Sequence, residues 1–265
     1  MDKYILITNA NTEVGSELIK TLISENYIVI AADANFENKK FGNLIYLTLD
    51  GSDYKSLENA KKNIQKYTSN INAIIHITNY VAYSPIIEVD DRDFMDAVDK
   101  LFVNIFRTNK VMWSLLNQKN GKIIHDCSDI PINDLVPYNG VVSLNKSLLN
   151  NYNDILRREL RFRGINVIKI HTGILKDENY KLLRAKYLKD AEESKLFFSD
   201  MSRFVDLNIP KKYTVSVNQY CELIKKIMKT KTPKRVYYLN ANKTLKFIKR
   251  LPAFLKDMYF KNYQK

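Results

Sequence analysis

The sequence predicts an α/β fold, a single doubly wound domain of about seven parallel strands with helices on both faces. Short apolar runs, typical of buried strands, alternate with longer segments of helical periodicity. Strands that alternate with helices pair in parallel, and right-handed crossovers place the helices on both faces of the sheet. Neither an internal repeat nor a linker divides the 265 residues, which favours one domain over 1–265.

The predicted elements follow from these patterns in chain order. Seven apolar runs are predicted as strands, namely 4–8, 27–31, 44–49, 73–77, 122–125, 166–171 and 236–239. Five segments are predicted as helices, namely 14–25, 56–67, 91–117, 143–162 and 217–230. Gly121 and Gly164 follow the third and fourth helices and are typical helix-ending residues. This order is that of a Rossmann-type domain, in which ligands bind at the carboxyl ends of the strands.

The composition favours a globular protein of a reducing compartment. Its two cysteines, Cys127 and Cys221, lie far apart and suggest neither a disulfide framework nor a metal site. We therefore predict no metal and a cytoplasmic location. The apolar run at the N-terminus is too short for a signal sequence, and we expect no transmembrane segment.

The net charge of +13 allows two interpretations. Excess lysine can mark a protein that binds nucleic acid or an anionic membrane. The lysines are scattered rather than grouped, which favours solvated surfaces, and no aromatic–basic motif of a known DNA or RNA module is present. A binder of nucleic acid or of an anionic surface is therefore a minor hypothesis.

The first strand leads into a loop with the spacing of a dinucleotide-binding loop. The run Thr8-Asn9-Ala10-Asn11-Thr12-Glu13-Val14-Gly15 resembles Thr-Gly-x-x-x-Gly-x-Gly of the short-chain dehydrogenases/reductases and retains Thr8 and Gly15. The glycines of this pattern let the backbone turn and approach a pyrophosphate. Asn9 replaces the first glycine and tolerates a left-handed conformation. Glu13 replaces the second, where its carboxylate repels a pyrophosphate and is expected to cap the helix itself.

The resemblance to this family covers nearly the whole chain and includes its catalytic positions. Asn104 resembles the helical asparagine of the family's proton relay, and Ser128 resembles its catalytic serine at the end of a strand. Lys146 resembles the lysine of Tyr-x-x-x-Lys, which binds the nicotinamide ribose and lowers the pKa of the tyrosine. Val142 stands where that tyrosine is expected, and valine has no ionisable proton for general acid–base work. Taken alone, Ser128 is a strand-end turn residue and Lys146 a solvated helix lysine.

Several strand ends resemble the family's cofactor contacts. Asp33, eighteen residues after Gly15, stands where the family places an acid that binds the adenosine ribose and favours NAD over NADP. Asp50 resembles the acid beside the adenine, although both aspartates also suit plain turns. Gly173 retains half of the family's Pro-Gly pair, whereas Asp177 replaces the threonine that grips the nicotinamide amide.

Three other segments carry expectations. His76, in the run that replaces the family's Asn-Asn-Ala-Gly, is predicted to be a core-edge histidine. The segment 176–212 either closes over a ligand, as in the family, or forms a surface helical pair. The tail 241–265 resembles that of steroid- and retinol-type members. Its basic and aromatic residues also suit a membrane surface, although packing is the favoured interpretation.

These departures together predict a degenerate family member with a dinucleotide-binding fold and without standard hydride transfer. The alternative is an active NAD-dependent oxidoreductase in which Tyr80, Tyr83 or Tyr138 supplies the proton. The resemblance implies a small hydroxyl or carbonyl ligand, with NAD favoured if a cofactor binds. It also implies a homo-oligomer through the helices 91–117 and 143–162.

Overall fold

The strands of this chain build a mostly parallel sheet. The computed structural model describes residues 2–78, 80–127, 136–209 and 211–263. The strands are β1 (Tyr4–Thr8), β2 (Ile28–Asp33), β3 (Lys39–Phe41), β4 (Leu44–Thr48), β5 (Ala73–His76), β6 (Lys122–Asp126), β7 (Asn166–Thr172), β8 (Ile174–Lys176), β9 (Thr214–Ser216) and β10 (Val236–Leu239). All seven predicted strands are present. The additional strands β3, β8 and β9 have three residues each, too few to show a period.

Within the described ranges, eight strands form one sheet in the order β10-β7-β6-β5-β1-β2-β4-β3, and β8 pairs with β9. Only β3 runs antiparallel in the large sheet, so the predicted doubly wound sheet of about seven parallel strands is confirmed. The chain builds β1 to β4 on one side of the sheet and then β5, β6, β7 and β10 on the other. Strand order therefore reverses between β1 and β5, where a ligand crevice is expected at the carboxyl ends.

Helices cover both faces of the sheet. They are α1 (Glu13–Ser24), α2 (Tyr54–Gln65), α3 (Asp91–Val98), α4 (Asn104–Met112), α5 (Gly140–Arg161), α6 (Tyr180–Glu192), α7 (Phe198–Asn208), α8 (Val217–Lys229), α9 (Lys243–Ile248) and α10 (Ala253–Tyr263). Leu18 of α1 and Ile224 of α8 belong to the core on one face. Leu57 of α2 and Met112 of α4 belong to the core on the other face.

The segment predicted as one helix over 91–117 has three helical geometries. A π-helical stretch, Asp99–Val103, separates α3 from α4, and a 3₁₀ turn, Trp113–Leu115, follows α4. A π turn adds a residue to the helix and so rotates the faces that later residues present. The prediction of a uniform helix is wrong at this point because the apolar period of the sequence does not record the extra residue.

The last part of the chain packs around the carboxyl ends of the strands. Helices α6 and α7 share a small core that includes Leu183 and Met201. Leu245 of α9 and Phe260 of α10 pack in another small core with Val136. In the portion of the chain that is described, no helix combines the length and apolar character needed to cross a bilayer.

Candidate functional site

A cavity of about 160 Å³ lies at the carboxyl ends of β5, β6 and β7. Its wall includes Thr78 after β5, Asp126 of β6, Gly173 after β7, and Val142 and Lys146 of α5. Side chains of α6 and α7 complete the wall, so the segment 176–212 both forms a helical pair and encloses the cavity. The cavity lies on the β5 side of the point where strand order reverses, where a ligand site is expected.

Lys146 brings a buried amine to this cavity. The residue is 3% exposed, which excludes the alternative of a solvated helix lysine. Its Nζ donates to the Thr78 hydroxyl and, at 3.1 Å, to the carbonyl oxygen of Asp126. Burial lowers the pKa of the ammonium, and the nearby Asp126 partly opposes that shift. The amine is thus fixed by two oxygens from neighbouring strand ends.

Val142 lines the same cavity one helical turn before Lys146. Two of the three tyrosines considered as substitutes have other roles. The Tyr83 hydroxyl donates to the carbonyl oxygen of Met201 at 2.5 Å, and burial raises the tyrosine pKa. Tyr138 packs its ring 5.7 Å from that of Phe204, and burial raises its pKa as well. Tyr80, in contrast, lies in the cavity wall.

Two amide oxygens in the cavity wall have no hydrogen-bond partner among the described residues. They are Oδ1 of Asn139 and Oδ1 of Asn208. Asn208 Nδ2 donates to the carbonyl oxygens of Pro137 and Phe204, at 3.2 and 3.1 Å, so this amide is oriented. A buried acceptor without a donor is costly, so these oxygens are available to N–H or O–H groups of a molecule in the cavity, water included.

The N-terminus of α1 is occupied by a carboxylate from elsewhere in the chain. Thr12 caps the helix, accepting from the Gly15 amide at 3.0 Å. The Glu178 carboxylate accepts from the Glu13 amide at 3.1 and 3.4 Å. The expectation that Glu13 itself caps this end is therefore wrong, because its own side chain follows the cap position and a distant glutamate supplies the anion. Helix N-termini attract anions, and in this fold that position serves a pyrophosphate.

The two predicted adenosine contacts are both engaged in local turns. Asp33 Oδ1 accepts from the backbone and side-chain nitrogens of Asn35, at 3.0 and 3.2 Å. Asp50 Oδ1 accepts from the backbone nitrogen and hydroxyl of Ser52, at 2.8 and 2.7 Å. Both carboxylates lie at strand ends, as predicted, and both also fit the plain-turn interpretation.

Comparison with known proteins identifies the family. A sequence profile of the short chain dehydrogenases matches residues 3–187, more than half of the chain. The chain belongs to the short chain dehydrogenase family. The resemblance inferred from the motifs is therefore confirmed at the level of the family.

Two curated relatives of this family member carry reductase names. The NADPH-dependent 3-dehydrocapnine reductase of Ornithobacterium rhinotracheale is 24% identical over 189 residues, which are 66% of each chain. The NADPH-dependent 1-acyldihydroxyacetone phosphate reductase of Schizosaccharomyces pombe is 27% identical over 182 residues, 65% of this chain and 60% of the relative. The chain thus spans slightly less than two thirds of either relative.

A solved structure supports the fold over a longer range. A short chain dehydrogenase family protein from Francisella tularensis superposes with a TM-score of 0.73 at 17% identity. The superposition covers 90% of this chain and 97% of that protein. At this identity, the likeness shows the fold alone. The chemistry has to be inferred from the residues of the site.

Other described positions that resemble family site residues lie apart from the cavity. The Thr8 hydroxyl is hydrogen-bonded to His76 Nδ1 at 3.0 Å and belongs to the core. Asn104 lies against Gly51, where a methyl group added to the glycine would approach the Asn104 Cβ to 2.6 Å, and it is absent from the cavity wall. Ser128 lies outside the described residues. Of the predicted site residues, the structure therefore brings together Lys146 and Gly173, together with Val142.

The residues at the pyrophosphate position do not fit a dinucleotide. The Glu178 carboxylate already holds the Glu13 amide. Burial, and to a smaller extent the charge of Glu13, raises the pKa of Asp177, the residue next to Glu178. Glu178 therefore occupies the helix end where the family binds phosphates. Glu13 and Asp177, the residues next to this contact, add two more acidic groups nearby, and like charges at short range repel. The nearby backbone is otherwise suited to the loop, since Asn9 has a φ of 52° in the left-handed region.

A buried polar network lies behind the cavity, and sequence reasoning found only one of its members. His76 and His125 are opposite each other on β5 and β6, with rings stacked 5.2 Å apart. Asn109 joins them, with Oδ1 at 2.9 Å from His76 Nε2 and Nδ2 at 3.0 Å from His125 Nε2. Asn153 Nδ2 is 2.8 Å from His125 Nδ1. His76 is thus a core histidine, as predicted.

Proposed function

We propose that this chain retains the fold of its family without the standard hydride transfer. The observation that carries the proposal is the apolar side chain of Val142 in the cavity wall. The motif resemblance assigns this position to the tyrosine of the family. A general acid must lie within hydrogen-bonding reach of the substrate oxygen. Lys146 remains in place, and its buried amine has no neighbouring tyrosine at that position to activate.

The occupied N-terminus of α1 supports the same proposal for the cofactor. A pyrophosphate would have to displace Glu178 and then face Glu13 and Asp177. We propose that dinucleotide binding is weak or lost. Any residual binding favours NAD over NADP, because the Asp33 carboxylate would repel a 2′-phosphate. The two curated relatives do not share this expected preference for NAD, since both are named NADPH-dependent.

Calorimetric titration with NADH and NADPH tests the proposal. We expect no heat of binding at about millimolar cofactor, an affinity weaker than about −4 kcal/mol. The double substitution Glu13→Gly and Glu178→Gln removes two of the three carboxylates, and we expect it to strengthen binding at least roughly tenfold. Glu17→Gln removes a half-buried carboxylate from the body of α1, where it pairs with Lys20, and serves as the matched control with no expected change in cofactor binding.

Two results would contradict this proposal. Tight binding of either cofactor to the unsubstituted chain would show that Glu178 yields to a pyrophosphate. Turnover of a ketone with NADH or NADPH would favour the alternative, an active oxidoreductase, expected to be NAD-dependent, with a rearranged proton donor. Tyr80 is the candidate donor for that alternative because it lies in the cavity wall, and Tyr80→Phe would then abolish the turnover.

The cavity itself is proposed to hold a small hydroxyl or carbonyl compound. The amine of Lys146 can donate to a carbonyl or hydroxyl oxygen. The unpartnered oxygens of Asn139 and Asn208 can accept from ligand hydroxyls. Val142, Leu183 and other apolar side chains form the rest of the wall. The relation to steroid- and retinol-type members and the cytoplasmic location stay predictions.

We also propose a homo-oligomer through α4 and α5. Leu144, Leu148 and Ile155 are exposed on α5 at spacings of four and seven residues, and Phe106 and Trp113 are exposed on α4 and the 3₁₀ turn that follows it. Side chains at these spacings share one helix face. Exposed apolar side chains grouped on helix faces in this way are typical of a protein interface.

Light scattering coupled to gel filtration tests the oligomer. We expect a mass of at least twice the 31.0 kDa of one chain. Leu148→Glu with Ile155→Glu places charges in the interface and is expected to weaken association roughly a hundredfold, giving monomers. Leu196→Glu, at an exposed leucine outside these helices, is the control. A monomeric unsubstituted chain, or dissociation caused equally by the control, would contradict the proposal.

A further inference from the structure

The C-terminal helices α9 and α10 expose large apolar side chains. Phe247 is 65% exposed, Phe254 is 67% exposed and Met258 is 52% exposed. Isolated exposed apolar residues are ordinary on protein surfaces. Three such side chains within twelve residues, on consecutive helices, form a group of the kind that marks an interaction site.

Exposed basic side chains accompany this group. Phe247 is exposed together with Lys243 and Arg250, at spacings of four and three residues. On α10, Phe254 and Met258 are exposed together with Lys261, again at spacings of four and three residues. Lys243 and Phe247 therefore lie on one side of α9, and Phe254, Met258 and Lys261 on one side of α10. Arg250 follows α9 in a turn.

Both helices turn these faces away from the same small core. Leu245 and Ile248 of α9 and Tyr259 and Phe260 of α10 pack in the core around Val136. The exposed side chains of both helices therefore lie on the sides away from this core. We name the exposed group Lys243, Phe247, Arg250, Phe254, Met258 and Lys261 the tail face.

The C-terminal segment also carries a large share of the positive charge of the chain. Residues 241–265 contain seven Lys or Arg and one Asp, a net charge of +6 out of the +13 of the whole chain. The basic residues of the chain therefore include one group, in addition to the scattered lysines. Among possible partners, an anionic bilayer surface matches both properties, since aromatic side chains bury at the headgroup level and basic side chains attract anionic headgroups.

We propose that the tail face docks this protein on the surface of a bilayer that contains anionic lipid. The helices lie on the surface rather than crossing it, because α10 has 11 residues and a spanning helix needs about 20. Packing in the core and docking involve opposite sides of the same helices, so the two interpretations of the tail are compatible. The proposal does not depend on whether a dinucleotide binds.

Co-sedimentation with lipid vesicles tests the proposal. The full chain is mixed with vesicles of phosphatidylcholine alone or of phosphatidylcholine with phosphatidylglycerol. We expect binding to the anionic vesicles, little to the neutral ones, and release at about 1 M salt, where the Debye length is about 3 Å. Phe247→Ser with Arg250→Glu is expected to weaken binding roughly tenfold or more.

A matched variant separates a specific face from general basicity. Phe41→Ser with Lys40→Glu makes a comparable chemical change at β3, where Phe41 is 61% exposed, at the opposite edge of the sheet from β10. This variant is expected to bind anionic vesicles like the unsubstituted chain, and circular dichroism checks that both variants are folded. Absence of binding to anionic vesicles, equal binding to neutral ones, or equal losses in both variants would overturn the proposal.

Discussion

Acidification from about pH 7.5 to about pH 4 is expected to lower the free energy of unfolding by about 3 kcal/mol through His76 alone. Burial lowers the pKa of His76 to about 4 in the folded chain, against about 6.5 in an unfolded chain. As the pH falls below 6.5, the unfolded state takes up a proton that the folded state does not bind. The contribution of neutral His76 to the free energy of unfolding is therefore fully present above about pH 6.5 and is lost as the pH falls to about 4.

The neighbouring His125 is also expected to lower the free energy of unfolding on acidification. Burial, with smaller effects of His76 and Lys146, lowers the pKa of His125 well below its usual value. Asn109 Oδ1 accepts from His76 Nε2, and the side-chain nitrogens of Asn109 and Asn153 contact the two ring nitrogens of His125. Protonating either ring would place a charge between the sheet and the helices α4 and α5, with no carboxylate among the hydrogen bonds described for the network.

Urea unfolding at several pH values between about 4 and 7.5 measures this effect. The matched variant is His76→Gln, whose amide does not titrate and can still donate and accept hydrogen bonds. We expect it to be less stable at neutral pH and to show a smaller loss on acidification. A stability that stays constant down to about pH 5, or an equal loss in the variant, would show that protonation of His76 is not the cause.

Gly173→Ala is expected to destabilise the chain by about 3 kcal/mol or more. A Cβ at this position would lie 2.3 Å from the carbonyl oxygen of Tyr213 and 2.8 Å from that of Asn240. Both atoms belong to the backbone of segments that flank β7 and β8, so neither can move aside as a side-chain end could. The absence of a side chain at Gly173 thus allows its own segment and those of Tyr213 and Asn240 to pack closely, whether or not a cofactor binds nearby.

Gly140→Ala provides the comparison for this substitution. At Gly140, the first residue of α5, the nearest atom to a Cβ is Ile86 Cδ1 at 3.4 Å. Alanine favours a helix over glycine by up to about 1 kcal/mol, so this variant is expected to be as stable as the original or slightly more stable. Thermal and urea unfolding of the two variants measure the difference, and equal stability would contradict the close-packing argument.

The fold could be predicted because its signals are local. The apolar run of β1 and the amphipathic period of α1 can both be recognised within about a dozen residues, and the strand order then follows from general rules of connection. The position of Lys146 followed from its spacing to family motifs. The break in 91–117 could not be predicted, because a π turn alters geometry without altering the apolar pattern.

The site depends on contacts between distant segments, and these were not predicted. Glu178 reaches the amide of Glu13 across 165 positions of sequence. His125 meets His76 only through the register of β5 and β6. Adjacent acidic residues at 177 and 178 were the available signal for the blocked anion site, but only the folded chain shows which of them reaches α1.

The two outermost strands of the sheet determine how easily one folded molecule can pair with another. One edge is β3, whose three residues are all exposed and include Lys39 and Lys40. The other edge is β10, which has four residues. Short edges, one of them rich in lysine, give a foreign strand little backbone to pair with. The native molecule is therefore protected from fibre-like stacking, and aggregation on heating should begin only when the apolar central strands β1 and β5 become accessible.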